Sequence, residues 1–207
     1  MKLTEEGTSH MLERLLGSFP KVIQLLRDDH KLVRSLFAQY AKASNGEKPQ
    51  IAHRIIRELT IHAAIEERVI YPAFRAVFQD PHMIYEAVEA HQLVHVLLDK
   101  LNKFRPGPGS ATFDARFKVL RELVKHHVDE EEGRVFPKAE AHELDWKGLF
   151  EKAQKIKGKV IAAMFYPVAV LVVASAILLI LMVKVVPAFE QVFIGMAEGA
   201  QLPAFTR

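Results

Sequence analysis

The sequence predicts an all-α protein, an antiparallel four-helix bundle followed by a single transmembrane helix. Three observations carry this. Residues 1–148 hold four long stretches of helical periodicity and almost no period-two alternation. Three punctuated breaks separate them: Ser44-Asn45-Gly46-Glu47-Lys48-Pro49, Asp80-Pro81 and Arg105-Pro106-Gly107-Pro108-Gly109-Ser110. Residues 160–183 then run for 24 positions without a charge.

The helices are expected at about 20–43, 50–76, 82–103 and 111–140, with residues 1–18 forming an arm or short helix. Spacings of three and four define one inward stripe on each. The first reads Val22, Leu26, His30, Val33, Phe37, Tyr40; the second Ile55, Leu59, His62, Glu66, Val69, Ala73. The third reads Ile84, Ala87, His91, Val94 or His95, Leu98, Leu101, and the fourth Phe113, Phe117, Leu120, Val124, His127, Glu131, Val135. Every stripe carries a histidine, and two add a carboxylate one turn later.

At about 1.5 Å per residue the uncharged run reaches roughly 36 Å, enough to cross a bilayer with some tilt. A chain of 207 residues offers no core large enough to surround such a helix otherwise. Pro167 lies near its start, where a kink or re-formed turn is tolerated. Lys152, Lys155, Lys157 and Lys159 precede the run and only Lys184 follows closely, so the N-terminal segment is expected inside. No signal-peptide order of basic, apolar and small residues opens the chain. The expected domains are residues 1–148 and residues 149–207, the latter a basic linker, the span and a short non-cytoplasmic tail.

The net charge of +3 belongs to that tail, since residues 1–148 carry 22 basic and 22 acidic side chains. A neutral bundle gives no electrostatic reason for nucleic-acid binding. With no cysteine, a metal site would use nitrogen and oxygen donors alone. No nucleophile–base triad, phosphate loop or dinucleotide fingerprint is present, which speaks against a conventional enzyme.

An internal duplication organises the histidines. His62-Ala-Ala-Ile-Glu66-Glu67 with Pro72 repeats as His127-Val-Asp-Glu-Glu131-Glu132 with Pro137, and His30-Lys-Leu-Val repeats as His91-Gln-Leu-Val. Histidine and glutamate at i and i+4 share a helix face, so two such helices and a histidine from each of the others can enclose a pair of cations. Imidazole and carboxylate suit iron, with zinc and manganese chemically possible. Buried and bare, these groups would cost several kcal/mol each. One copy of the pattern reads as a surface ion pair; two matching copies read as a metal site. Order and spacing argue against a ferritin-like oxidase, which places Glu before His at i and i+3.

These residues resemble the hemerythrin-like, or HHE cation-binding, family. The resemblance rests on Asp29-His30, His62-x3-Glu66-Glu67 with Pro72, Glu89-Ala90-His91 and His127-x3-Glu131-Glu132 with Pro137, and it covers about residues 20–140. It implies a non-haem di-iron centre that binds dioxygen, or serves oxygen, redox or nitric-oxide sensing and iron handling. His30 and His62 would cap one iron, His91 and His127 the other, with Glu66 and Glu131 bridging. His95 adds a third imidazole, as in oxygen-carrying hemerythrins, where the first half has Arg34. Those proteins space the fourth-helix pair by five, which admits His126 as an alternative to His127; the repeat and the apolar stripe favour His127. Glu67 and Glu132 read as a solvated face, or as ligands or acceptors behind an imidazole. Tyr71 and Phe136 read as packing residues, and His10, His53, His82 and His142 as solvated.

The tail carries a second resemblance. Lys155-Ile-Lys-Gly-Lys-Val, Tyr166-Pro167, the apolar run, Val185-Val186-Pro187-x-Phe189, Phe193 and Leu202-Pro203-x-x-Thr206 are similar to the first span and following loop of the type II secretion system F family. That family implies an inner-membrane platform of secretion systems and type IV pili. Here the bundle stands where the platform's first helical segment would be, and the later platform segments are not in the sequence. The expected chain is therefore a membrane-anchored iron protein of the bacterial inner membrane, with dioxygen or another diatomic as small-molecule partner.

Overall fold

The computed structural model describes residues 20–105 and 107–196. The expected N-terminal arm, His10 and the last part of the tail lie outside these residues. Helix α1 is Lys21–Lys42; α2 is Lys48–Ile65, continued by a π-helical turn Glu66–Ile70 and by Tyr71–Val77. Helix α3 is His82–Lys103; α4 is Ala111–Glu130, a second π-helical turn Glu131–Val135, and Phe136–Glu140. Helix α5 runs Trp146–Ile180, then a third π-helical turn Leu181–Val185 and Val186–Met196. No strand occurs among the described residues. The bundle is the antiparallel arrangement its short connections require, with α1 against α2, α3 against α4 and α1 against α4.

Local chemistry fixes the helix ends. Pro49 stands in the first turn of α2, where its missing N–H costs nothing. The Ser110 hydroxyl accepts from the Phe113 N–H and caps α4. Just before it, Gly109 turns the chain at φ 93°, a left-handed conformation that glycine adopts without penalty.

The bundle separates into two layers along its length. One end is apolar, with Phe37, Tyr40, Ile55, Leu98, Phe113 and Phe117 in one buried cluster; burying each large side chain contributes about 1.5–3 kcal/mol. The other end holds His30, His62, Glu66, His91, His127 and Glu131, all buried. The inward stripes of α1 and α4 are buried throughout. The stripe of α2 departs from expectation beyond Glu66, because the π turn advances the register: Ile70 and Phe74 are fully buried, and Ala73 is only half-buried.

The three π turns share a local setting. Each is followed by an X-Pro pair, Tyr71-Pro72, Phe136-Pro137 and Val186-Pro187, and in each the residue before proline donates to the carbonyl five back. Proline has no N–H for an i−4 carbonyl and its ring clashes there; widening the turn relieves both.

The residues divide into two compact units, one ending at Val160 and one beginning at Ile161. In the first, Trp146, Leu149 and Ala153 of α5 are buried, and the Trp146 ring lies 6.3 Å from Phe74. The docked turn thus packs within this unit. In the second, apolar side chains such as Phe165, Tyr166, Leu171, Leu179 and Met182 are exposed. Among the described residues one helix, Trp146–Phe189, is long and apolar enough to cross a membrane, with a mean hydropathy of 2.9 over its most apolar window. Pro167 lies inside that helix without ending it.

Candidate metal centre

Each bundle helix delivers side chains to one interior level: His30 from α1, His62 and Glu66 from α2, His91 from α3, His127 and Glu131 from α4. Two overlapping sets result, His30, His62, Glu66 and Glu131, and Glu66, His91 and His127, with the donor atoms of each within 4.8 Å of one another. The Nε2 atoms of His30 and His62 are 3.0 Å apart, as are those of His91 and His127. Glu66 Oε2 lies 3.1 Å from His62 Nε2 and 3.3 Å from His91 Nε2, which makes Glu66 the shared member. Glu131 Oε2 lies 3.4 Å from both His30 Nε2 and His127 Nε2.

A second ring of groups orients the imidazoles. His30 Nδ1 donates to Glu132 Oε1 at 2.8 Å, and His91 Nδ1 to Glu67 Oε1 at 2.9 Å. His62 Nδ1 faces Asp29 Oδ2 at 3.8 Å. A carboxylate behind Nδ1 holds the proton there and leaves the Nε2 lone pair pointing inward. Paired lone-pair nitrogens at 3.0 Å repel without a positive charge between them. Both Glu66 oxygens and Glu131 Oε2 are buried without a hydrogen bond, and buried carboxylates in that condition cost several kcal/mol. The donor set fits a cation that accepts nitrogen and oxygen.

The same field sets the proton affinities of the bare site. Burial pushes His62 down, but the Glu66 charge and then Asp29 carry it up to about 10. Burial likewise opposes His91, which the facing Glu66 and Glu67 carboxylates raise to about 9. Burial would raise Glu66, yet the facing His62 charge holds it well below the carboxylate range. At His127 burial wins and the value falls. Protons on two imidazoles can therefore balance two carboxylates, the place a bound cation would take.

The sequence expectations meet this geometry unevenly. His127 is buried in the cluster and His126 is exposed. His95 is not gathered: its side chain is 39% exposed and its Nε2 meets Glu67 Oε1 at 2.8 Å. Its repeat partner Arg34 stands 3.7 Å from Glu132 Oε2 and binds Asp129 at 2.9 Å, so this position in each half supports the carboxylate behind a histidine. Glu67 and Glu132, for which the sequence leaves open a solvated face and an acceptor behind an imidazole, are those carboxylates, and their side chains are only 29% exposed. His53 and His82 are exposed as expected; His142 is half-buried and its Nδ1 lies 2.8 Å from the Lys138 carbonyl.

Tyr71 was legible only as packing, yet its hydroxyl donates to Glu131 Oε1 at 2.7 Å and lies 3.2 Å from His91 Nε2. Burial and the Glu131 charge push that phenol well above its ordinary value. Phe136, its counterpart, stacks on His30 with ring centroids 5.9 Å apart. The alignment of the two repeats, Tyr71 against Phe136, held the signal. Beside the imidazoles is a cavity of about 20 Å³ walled by Val33, Leu59, Val94, Val124 and Val128, room for one small molecule.

Comparison with known proteins finds one family and several relatives. The Hemerythrin HHE cation binding domain matches residues 21–139. The chain is similar to the type IV pilus assembly protein PilC of Pseudomonas aeruginosa, 51% identical over 57 residues, which cover 28% of this chain and 15% of that protein. It is similar to the type IV pilus assembly protein TapC of Aeromonas hydrophila, 44% identical over 57 residues, 28% of this chain and 13% of that one. It is also similar to a DNA nickase of a Nostoc species, 28% identical over 113 residues, 54% of this chain and 31% of that one. The matched segments thus span less than a third of each of these relatives, and no solved structure matches. The bundle, its cation-type donor set and a family match over more than half of the chain agree, and the chain belongs to the hemerythrin HHE cation binding domain family.

Proposed function

We propose that this chain is a membrane-anchored protein holding two non-haem irons, which binds or senses dioxygen or a related diatomic at the cytoplasmic face of a bacterial inner membrane. The observation that carries the reading is the shared Glu66 between two imidazole pairs whose Nε2 atoms converge. His30 and His62 would hold one ion and His91 and His127 the other, with Glu66 and Glu131 between them. Iron in such a site supplies reversible redox chemistry and affinity for diatomics. The protein's own part is to aim the imidazoles through Glu132, Glu67 and Asp29, to hold Glu131 through Tyr71, and to admit little beyond a diatomic to the valine-walled cavity. His95 serves as a donor to Glu67 in this reading. The lysines before the span, against Lys184 alone after it, support the inward orientation of the bundle.

Metal analysis of the purified chain should find about two irons, with near-ultraviolet and visible absorption that changes on admission of O2. Retention of iron by a Glu66→Ala/Glu131→Ala double variant would refute the site. Consumption of Fe(II) or peroxide in stopped flow would assign iron or peroxide handling to the same residues. The similarity to PilC and TapC favours a second reading, a pilus platform component whose bundle only packs. That reading predicts co-purification with pilus machinery and indifference to loss of His62 and His127.

A further inference from the structure

The family match ends at residue 139, yet a side chain beyond it reaches the centre's surroundings. In α5 the buried residues Trp146, Leu149 and Ala153 recur at spacings of three and four, and Lys157 follows one turn later on the same face. Its ammonium lies 3.6 Å from Asp29 Oδ1, while Asp29 Oδ2 faces His62 Nδ1 at 3.8 Å. The Lys157 and Asp29 side chains are 28% and 15% exposed, so the pair is partly shielded from solvent. His62 Nδ1 is buried without a hydrogen bond. An imidazole that gives its Nε2 lone pair to a cation keeps its proton on Nδ1, and the acceptor on that side is Asp29. The equivalent of Asp29 in the second half is Ala90, so His127 has no such partner from the repeat.

We infer that Lys157 is a positioning residue for the centre: through Asp29 it sets the orientation of His62, coupling cation occupancy to the docking of the α5 turn that precedes the apolar span. A cation on His62 strengthens the Nδ1–H as a donor, draws the Asp29 carboxylate inward and holds it in line with the Lys157 ammonium. By reciprocity, a docked turn retains the cation better than an undocked one. The inference rests on the metal-site reading above. It gives the bundle a means of altering the turn just before the membrane, which a packing domain lacks.

The test uses the full chain in detergent with Co(II) as probe. Lys157→Ala should weaken Co(II) retention about three- to tenfold, Lys157→Arg should restore most of it, and in Asp29→Ala the further loss of Lys157 should have no effect. Hydrogen exchange of residues 153–159 should slow on Co(II) loading in the unaltered chain and not in Asp29→Ala. Equal retention by Lys157→Ala and the unaltered chain, additive losses in the double variant, or exchange insensitive to Co(II) would each overturn the coupling while leaving the site intact. Failure of the unaltered chain to bind Co(II) at all would overturn both readings.

Discussion

Tyr71→Phe isolates one hydrogen bond in the centre with little disturbance of packing. The phenol is 2% exposed and its hydroxyl donates at 2.7 Å to a carboxylate that is fully buried. Phe136 already occupies the equivalent place in the other half, fully buried, so a phenyl ring suits this environment. The substitution therefore removes one donor and leaves a void of about one oxygen atom. A hydrogen bond to a charged acceptor contributes about 1.5–3 kcal/mol. For a chain of this size each kcal/mol moves the melting temperature by roughly 2–4 °C, so chelated Tyr71→Phe should melt about 3–12 °C below the chelated parent. Cation retention should move the other way, up to about tenfold tighter, because Glu131 Oε1 no longer shares its charge with a phenol. Circular dichroism melts in excess chelator measure the first, and competition against a chromophoric chelator the second. A melting temperature within about 1 °C of the parent, or a Tyr71→Phe that loses its cation, would show that the hydroxyl does not hold Glu131 as described.

Four further outcomes are expected. His127→Ala should lose the bound cation and His126→Ala should keep it, read by metal analysis of the two variants side by side. In the chelated protein His62 and His91 sit near 10 and 9 against an unfolded value of about 6.5, so their contribution is fully present below pH 6.5 and lost as pH rises through 9 to 10; denaturant midpoints across that range report it. Asp114 opposes burial with hydrogen bonds from Lys48 Nζ and the Tyr40 hydroxyl, each 2.6 Å, which hold it below its usual value. Its contribution is present above an unfolded value of about 3.9 and lost as pH falls through the folded one; Asp114→Asn should cost about 1–2 kcal/mol at neutral pH and flatten the acid limb of the stability curve. A Cβ at Gly133 would meet nothing within 4 Å, so Gly133→Ala should stabilise α4 by about 0.5–1 kcal/mol in urea titration.

The sequence was most informative where one residue type has one use. Helix ends followed from Pro, Gly and Ser breaks to within one or two residues, and a buried histidine on each stripe followed from periodicity. It was least informative where a polar side chain chooses between solvent and a partner on another helix. Glu67 and Glu132 look like ordinary surface acids from their own helix, and only the approach of α3 and α1 turns them toward His91 and His30. His95 shows the same choice: its spacing from His91 matches a ligand pair, while its side chain, 39% exposed, meets Glu67. Arg34, its counterpart in the repeat, does not ligate, and each of the two lies beside the carboxylate behind a histidine. The π turns precede the X-Pro pairs after Glu66 and Glu131, but Tyr166-Pro167 lies in regular helix, so such a pair does not by itself announce the shift that moves the inward face of α2 from Ala73 to Phe74.

The unequal side chains at positions 71 and 136 bear on how such a centre is encoded. Two identical hairpins assembling as a symmetric dimer would have to place the same residue at both ends, two phenols or two phenyl rings, and the same holds for Asp29 and Ala90. One continuous chain is free of that constraint. Because both hairpins here lie in a single polypeptide, each end can be substituted separately. The two imidazole pairs can then differ in the groups that surround them, a phenol beside one and a phenyl ring beside the other.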